Sequence, residues 1–133
     1  MKTKLTLTII GGLLVLQGIL FFAGAEQITT QAFAENELSA DALAVGSALH
    51  RALGSVALGV GLIILLLRNI DEGVSAVNLC KGIIAMSALV LSAAFYEMSI
   101  SNAKPPIPAL VLFGLFIALS ALSINKQNAH STN

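Results

Sequence analysis

Four long apolar segments constrain the fold of this chain more than any other feature. They span residues 5–25, 42–67, 74–98 and 107–124. A helix needs about 20 mainly apolar residues to cross the hydrocarbon core of a bilayer. The strands of a membrane barrel are only about 10 residues long and alternate in polarity, unlike these segments. The sequence therefore predicts an all-α membrane protein, with four transmembrane helices in an antiparallel bundle.

The composition agrees with this assignment. Charged residues make up 11% of the chain, compared with about 25% in soluble domains. Only about a third of the 133 residues lie outside the four segments, which is too little chain for a second, soluble domain. We therefore expect a single membrane domain over residues 1–133.

The distribution of Lys and Arg predicts the orientation in the membrane. These residues are enriched in cytoplasmic loops and near the cytoplasmic ends of membrane helices. With a cytoplasmic N-terminus, residues 26–41 form an acidic outer loop, and Lys104 is the single basic residue of the outer loops. Both termini are then cytoplasmic, and the residues at or near the inner side are Lys2, Lys4, Arg68, Lys81 and Lys126.

The N-terminal segment has an alternative interpretation as a cleaved signal peptide. Two lysines precede the apolar stretch, and Ala23-Gly24-Ala25 has the pattern of a cleavage site. The stretch over residues 5–22 is longer than the 7–15 residues usual for a signal peptide. We expect a retained helix, with cleavage as the alternative.

Small residues are expected at the helix contacts, because lipid gives helices no hydrophobic reason to associate. His50, Gly54 and Gly61 share one face of the second segment, by their spacing of four and seven residues. We predict helix packing at Gly54, Gly59, Gly61 and Gly114. On the third and fourth segments, the predicted inward stripes contain Ala85, Ala88, Ser92, Gly114, Ala118 and Ala121.

Five polar or ionisable side chains in or near the segments are candidate ligand or vestibule residues. Arg51 lies about 26 Å from Arg68 along a helix, which places it and His50 at the outer edge of a core about 30 Å thick. Arg51 then either extends to the headgroups or faces inward and pairs with an outer carboxylate, for which Glu97 is the candidate. Gln17 is expected to form an interhelical hydrogen bond. Lys81 is expected to extend to the cytoplasmic surface.

Several classes of function are disfavoured by the sequence. The net charge of zero gives no basic surface for nucleic acid. Cys80 is the single cysteine, and two scattered histidines do not supply a metal site. No nucleophile–base constellation is apparent, so we expect no enzymatic activity and no cofactor.

The stretch "HRALGSVALGVGL" resembles an uncharacterised family of small bacterial four-helix membrane proteins, known only as a domain of unknown function. The resemblance rests on Arg51, Ala52, Gly54, Gly59 and Gly61. It implies the four-helix architecture and a multi-pass location in the bacterial inner membrane, and it implies no activity. Family members often carry a basic residue at the outer end of the third helix, where this chain has Tyr96 and Glu97.

These observations predict a non-enzymatic membrane protein. The first hypothesis is an accessory or assembly subunit, or a bundle that binds a lipophilic ligand. Its partners would be membrane lipids, a membrane protein or further copies of this chain. The alternative is a small oligomeric transporter or channel, with His50, Arg51 and Glu97 lining an outer vestibule.

Overall fold

The computed structural model of the chain describes residues 2–33, 38–71, 73–100 and 107–131, which are helical almost throughout. No residue in these ranges lies in a β-strand. Five α-helices and one turn of 3₁₀ helix at Leu67–Asn69 follow one another. The helices are α1 (Thr3–Ala23), α2 (Ala25–Ala32), α3 (Ala40–Leu66), α4 (Val74–Ile100) and α5 (Ile107–Ser131).

Four of these helices are long and apolar enough to cross a membrane. The candidate spans are Thr3–Ala23, Ala40–Asn69, Val74–Tyr96 and Ile107–Gln127. The prediction of an all-α protein with four membrane-spanning helices is therefore confirmed.

The predicted outer loop over residues 26–41 is partly helical, because α1 and α2 are separated by Gly24 alone. The Gly24 N–H donates to the Leu20 carbonyl at 2.8 Å, and the Ile28 N–H donates to the Gly24 carbonyl at 2.9 Å. Both bonds join an N–H to the carbonyl four residues earlier, as in an α-helix, so the helical backbone continues through Gly24. Helix α2 is thus an eight-residue continuation of α1, which places its side chains against α3.

The beginning of α3 is set by Ser39. The Ala42 N–H donates to Ser39 Oγ at 3.2 Å, and the Leu43 N–H donates to the Ser39 carbonyl at 3.0 Å. A serine at this position satisfies N–H groups that have no partner in the first turn of a helix. Ser39 is therefore the residue that ends the connection between α2 and α3.

Two compact units can be distinguished by their internal packing. One contains Ile9–Leu66, and the other contains Met1–Thr8 with Leu67–Asn133. We call them the α1–α3 unit and the α4–α5 unit. The single membrane domain expected from the sequence stays a prediction.

Within the α1–α3 unit, α1 and α3 meet through pairs of glycines. A Cβ atom on Gly18 would lie 2.6 Å from the Leu58 nitrogen and 2.7 Å from the Gly54 carbonyl oxygen. A Cβ atom on Gly54 would lie 2.8 Å from the Gly18 carbonyl oxygen. Gly11 and Gly61 face each other in the same reciprocal way, at 3.0 and 2.9 Å. The two helices are therefore antiparallel, and their backbones approach too closely for any larger residue.

The spacing of these glycines defines a continuous seam. Gly11 and Gly18 are seven residues apart, as are Gly54 and Gly61, and a step of seven returns to nearly the same face of a helix. One further step reaches Ala25 on α2 and Ser47 on α3, which are 0% and 2% exposed. We call these six positions the small-residue seam.

Gly59 and Gly114, which were also predicted as helix-packing positions, differ from the glycines of the seam. A Cβ atom on either would meet nothing within 4 Å, and both residues are exposed. Gly59 is two positions from Gly61, which turns it about 200° around the helix. In the described part of the chain, these two glycines mark no helix contact.

In the α4–α5 unit, the two helices pack through a face that the sequence interpretation missed. The predicted inward stripes are wrong at Ala85, Ala88 and Ser92 and at Gly114 and Ala118, which are exposed. The buried positions on α4 repeat at the helical spacing of three and four residues, as do those on α5. They are Ala76, Cys80, Ile83 and Ser87 on α4, and Phe113, Phe116, Ser120 and Ser123 on α5.

Hydroxyl groups hold the first residues of α1 to the end of α5 in this unit. Thr3 Oγ1 and Ser123 Oγ are 3.1 Å apart, and the Gln127 side-chain amide donates to Thr3 Oγ1. Helices α4 and α5 pack against each other, and only six residues, 101–106, connect them. Six residues reach at most about 22 Å, which is too short to return along a long neighbouring helix, so α4 and α5 are antiparallel.

Candidate functional site

The candidate site is an open cleft between α2 and α3. Its volume is about 330 Å³. The wall contributed by α2 carries a carboxylate, and the wall contributed by α3 combines apolar, hydroxyl and guanidinium groups. The lining residues are Glu26, Ala40, Leu43, Ala44, Ser47 and Arg51.

The lining residues of α3 lie along one helix face. They begin at Ala40, continue with the neighbours Leu43 and Ala44, and follow at intervals of three and four residues to Ser47 and Arg51. Residues three and four apart lie above one another on the same side of a helix. The cleft therefore runs along about three turns of α3, from its first residue to the guanidinium.

An ion pair joins the two walls of the cleft. Arg51 Nη2 lies 3.1 Å from Glu26 Oε1, and the two side chains are 46% and 70% exposed. The contact uses one nitrogen and one oxygen, whereas a fork-to-fork contact would use two of each. Because exposed pairs contribute little to stability, this pair is free to rearrange around a ligand.

Ser47 lies at the buried end of the cleft. Its side chain is 2% exposed, and Oγ has no hydrogen-bond partner in the described part of the chain. Leaving a buried hydroxyl without a partner costs about 1–3 kcal/mol. Because Oγ is also closed to solvent, Ser47 lines the cleft without offering its hydroxyl to a molecule bound there.

Next to the cleft, His50 joins α3 to α2. Its Nδ1 lies 2.9 Å from the Gly46 carbonyl oxygen and 3.0 Å from Thr29 Oγ1. Since a carbonyl oxygen only accepts, Nδ1 carries the proton and Thr29 is its second acceptor. Thr29 donates its own proton to the Ala25 carbonyl at 2.8 Å, and the Phe21 ring meets the imidazole edge at 5.9 Å between centroids. His50 thus helps to hold the α2 wall in place.

The inward and the headgroup interpretations of Arg51 both stay predictions. Its side chain pairs with a carboxylate of α2 and is also 46% exposed. The partner is Glu26, whereas the sequence favoured Glu97. Glu97 belongs to α4, and its side chain lies outside the described residues.

The remaining predicted site residues do not line the cleft. Gln17 lies on α1, and its Oε1 is buried without a hydrogen-bond partner among the described residues. The interhelical hydrogen bond expected for the Gln17 side chain stays a prediction. Lys81 lies on α4, where its side chain is exposed.

Five of the six lining residues were missed from the sequence, two of them polar and three apolar. Glu26 was assigned to a loop, because the helix was expected to end at residue 25. Ser47 was not singled out, although it precedes Gly54 by the seven residues that separate Gly54 from Gly61. That repeated spacing was the available signal for Ser47. No comparable signal identified Glu26 as the partner of Arg51.

The arrangement of groups suits a ligand with a polar head and an apolar body. The rim offers one cation and one anion, and Ala40, Leu43 and Ala44 offer an apolar wall. No group of three His, Cys, Asp or Glu residues that could hold a metal ion occurs in the described ranges. The cleft therefore has the features of a non-covalent binding site.

No family model, curated protein or solved structure matches this chain. The resemblance to the uncharacterised four-helix family stays a prediction from the sequence.

Proposed function

We propose that this multi-pass membrane protein binds an amphipathic lipid in the cleft between α2 and α3. We propose further that the protein is not an enzyme and that it acts in the bacterial inner membrane. The observation that carries the proposal is the make-up of this cleft, which combines the Arg51–Glu26 ion pair with the apolar side chains of Ala40, Leu43 and Ala44.

The position of the cleft along α3 supports a lipid rather than a water-soluble ligand. The span Ala40–Asn69 has 30 residues and a length of about 45 Å, which exceeds a hydrocarbon core about 30 Å thick. The first turns of α3 therefore extend into the headgroup region. Large apolar side chains that face outward begin within the cleft's own range, at Val45, and continue with Leu49, Leu53 and Val56.

A lipid would satisfy the groups of the cleft at the same time. Phosphate oxygens accept hydrogen bonds, and the Arg51 guanidinium has N–H donors beyond the one that Glu26 accepts. The glycerol and upper acyl carbons contact Leu43 and the two alanines. Each buried methylene contributes about 0.8 kcal/mol when it is removed from water, although much of this gain is absent for a lipid that comes from the bilayer. Specificity is therefore expected to come from the polar groups.

Native mass spectrometry of protein released from lipid nanodiscs tests the proposal. The blocking variant is Ala44→Leu, because Ala44 lines the cleft and is exposed, so that a larger side chain fills the cleft without entering the core. The matched control is Ala48→Leu, one turn further along α3, exposed and outside the cleft lining. We expect a bound lipid on the native protein and on Ala48→Leu, and loss of that lipid from Ala44→Leu.

Two results would contradict the proposal. One is an equal amount of lipid on all three proteins, since retention would then not depend on the cleft. The other is solute or ion flux in liposomes that Arg51→Ala abolishes while the protein stays folded. That result would favour the transporter or channel alternative.

A further inference from the structure

We infer that the cleft selects a zwitterionic phospholipid that carries a phosphate and a primary ammonium group. This inference rests on the proposed function, because it names the class of lipid that the same cleft takes. It follows from the pairing of opposite charges at the rim.

The rim presents two opposite charges side by side. Arg51 Nη2 and Glu26 Oε1 are 3.1 Å apart, one on each wall. An anionic headgroup would meet the guanidinium and would also be repelled by the carboxylate. A cationic headgroup would be attracted by the carboxylate and repelled by the guanidinium. A headgroup that carries both charges on adjacent groups complements the rim without leaving either charge opposed.

The geometry of the ion pair leaves hydrogen-bonding capacity for such a headgroup. A guanidinium has five N–H donors and a carboxylate accepts through two oxygens, whereas the pair joins one nitrogen to one oxygen. The phosphate is assigned to Arg51, which suits it because guanidinium and phosphate match in a two-pronged contact. The ammonium is assigned to Glu26, which accepts its N–H groups.

The contact with Glu26 distinguishes ethanolamine headgroups from choline headgroups. A primary ammonium donates N–H groups to the Glu26 carboxylate, whereas a trimethylammonium has no N–H to donate. Charge–charge attraction remains in both cases, but the charge-assisted hydrogen bond is lost with choline. Phosphatidylethanolamine is therefore expected to bind more tightly than phosphatidylcholine with the same acyl chains.

The test uses nanodiscs that contain equal amounts of phosphatidylethanolamine, phosphatidylcholine and phosphatidylglycerol with identical acyl chains. The protein is released gently, and native mass spectrometry gives the ratio of the bound lipids. We expect phosphatidylethanolamine to be enriched roughly tenfold over each competitor, as for one strong hydrogen bond gained.

Three variants test which side chains determine the lipid preference. Glu26→Gln is expected to keep a bound lipid but to lose the preference over phosphatidylglycerol, because the anionic acceptor is gone. Arg51→Gln is expected to lose most bound lipid of every class. Asp41→Asn is the matched acidic control, because Asp41 is exposed at the start of α3 and is not among the lining residues. It is expected to keep the native ratio. Circular dichroism of each variant confirms that the helices are intact.

The outcomes separate this inference from the proposed function. If phosphatidylglycerol binds as well as phosphatidylethanolamine and Glu26→Gln changes nothing, the zwitterion inference is wrong and a lipid site remains. If phosphatidylcholine matches phosphatidylethanolamine, the ammonium contact with Glu26 is wrong. If no lipid is retained, or if Ala44→Leu retains as much as the native protein, both the inference and the proposed function fail.

Discussion

At the scale of single residues, Thr29 connects α2 to the residues that flank the cleft. It is fully buried, donates to the Ala25 carbonyl and lies 3.0 Å from His50 Nδ1. Replacing Thr29 by valine keeps the shape and removes the hydroxyl. We expect the free energy of unfolding in detergent micelles, measured by titration with a denaturing detergent, to fall by about 1 kcal/mol.

Thr30→Val is the matched control for this prediction. Thr30 is exposed on the same helix, and its hydroxyl donates to the Glu26 carbonyl at 2.9 Å, so its contact stays within α2. A change of less than about 0.5 kcal/mol is expected there, as for ordinary surface substitutions. Equal losses in the two variants would show that the contact with His50 contributes nothing of its own.

The sequence predicted which kind of group could pair with Arg51, but it did not predict which residue supplies that group. An arginine at the outer edge of a membrane helix needs a carboxylate if it faces inward, and this requirement holds whichever residue supplies it. The partner depends on whether the chain continues as helix beyond Gly24, and local composition at a glycine does not decide that. Glu26 was therefore missed, although a carboxylate partner for Arg51 was among the predicted alternatives.

At the scale of helices, the small-residue seam is expected to control the pairing of α1 with α3. A Cβ atom added at Gly18 would lie 2.6 Å from the Leu58 nitrogen, so Gly18→Ala must push the helices apart. Overpacking of this kind costs about 1–3 kcal/mol. We expect a loss of that size in the free energy of unfolding, together with weaker lipid retention by the adjacent cleft.

Gly12→Ala provides the matched control on the same helix. A Cβ atom there would meet nothing within 4 Å, so no neighbour has to move. Replacing glycine by alanine within a helix is favourable by roughly 0.5–1 kcal/mol. A stability loss in Gly12→Ala as large as in Gly18→Ala would contradict the seam, because the damage would then not depend on close approach.

The helices themselves were predicted well, but their contact faces were predicted only in part. Each apolar segment is long enough to identify a spanning helix from its own composition. A contact face, in contrast, is set by the neighbouring helix. On α4, Ala85 and Ala88 were predicted to face inward but are exposed, and Ser87 is buried instead. Serine is about as small as alanine, so residue size alone does not distinguish the two faces of the helix. The seam was predictable at Gly54 and Gly61, since small residues at regular spacing favour close packing.

At the scale of the whole molecule, the seam predicts that α1 is retained as a structural helix and is not cleaved as a leader. Cleavage after Ala25 would remove Gly11 and Gly18 and leave Gly54 and Gly61 without their partners. We therefore expect the mature protein to keep residues 1–25. Intact-mass measurement of protein purified from membranes checks this, and a chain that begins at Glu26 would refute it.

The orientation of the whole chain is open to a labelling test. In a Cys80→Ala background, cysteines are introduced at two exposed positions, Thr30 on α2 and Arg68 in the 3₁₀ turn. With both termini cytoplasmic, a membrane-impermeant maleimide labels Thr30→Cys in right-side-out vesicles. Arg68→Cys is labelled only after permeabilisation. The reverse pattern would invert the predicted topology and place the cleft on the cytoplasmic side.

The central claim is that a lipid occupies the cleft between α2 and α3, and photo-crosslinking tests it most directly. The protein is placed in nanodiscs doped with a phospholipid that carries a diazirine near its headgroup, and the crosslinked residues are mapped by peptide mass spectrometry. We predict that crosslinks concentrate at Ala40, Leu43 and Ala44 and are lost in Ala44→Leu. Crosslinks spread evenly over the outward apolar face of α3, at Val45, Leu49 and Val56, would contradict the account.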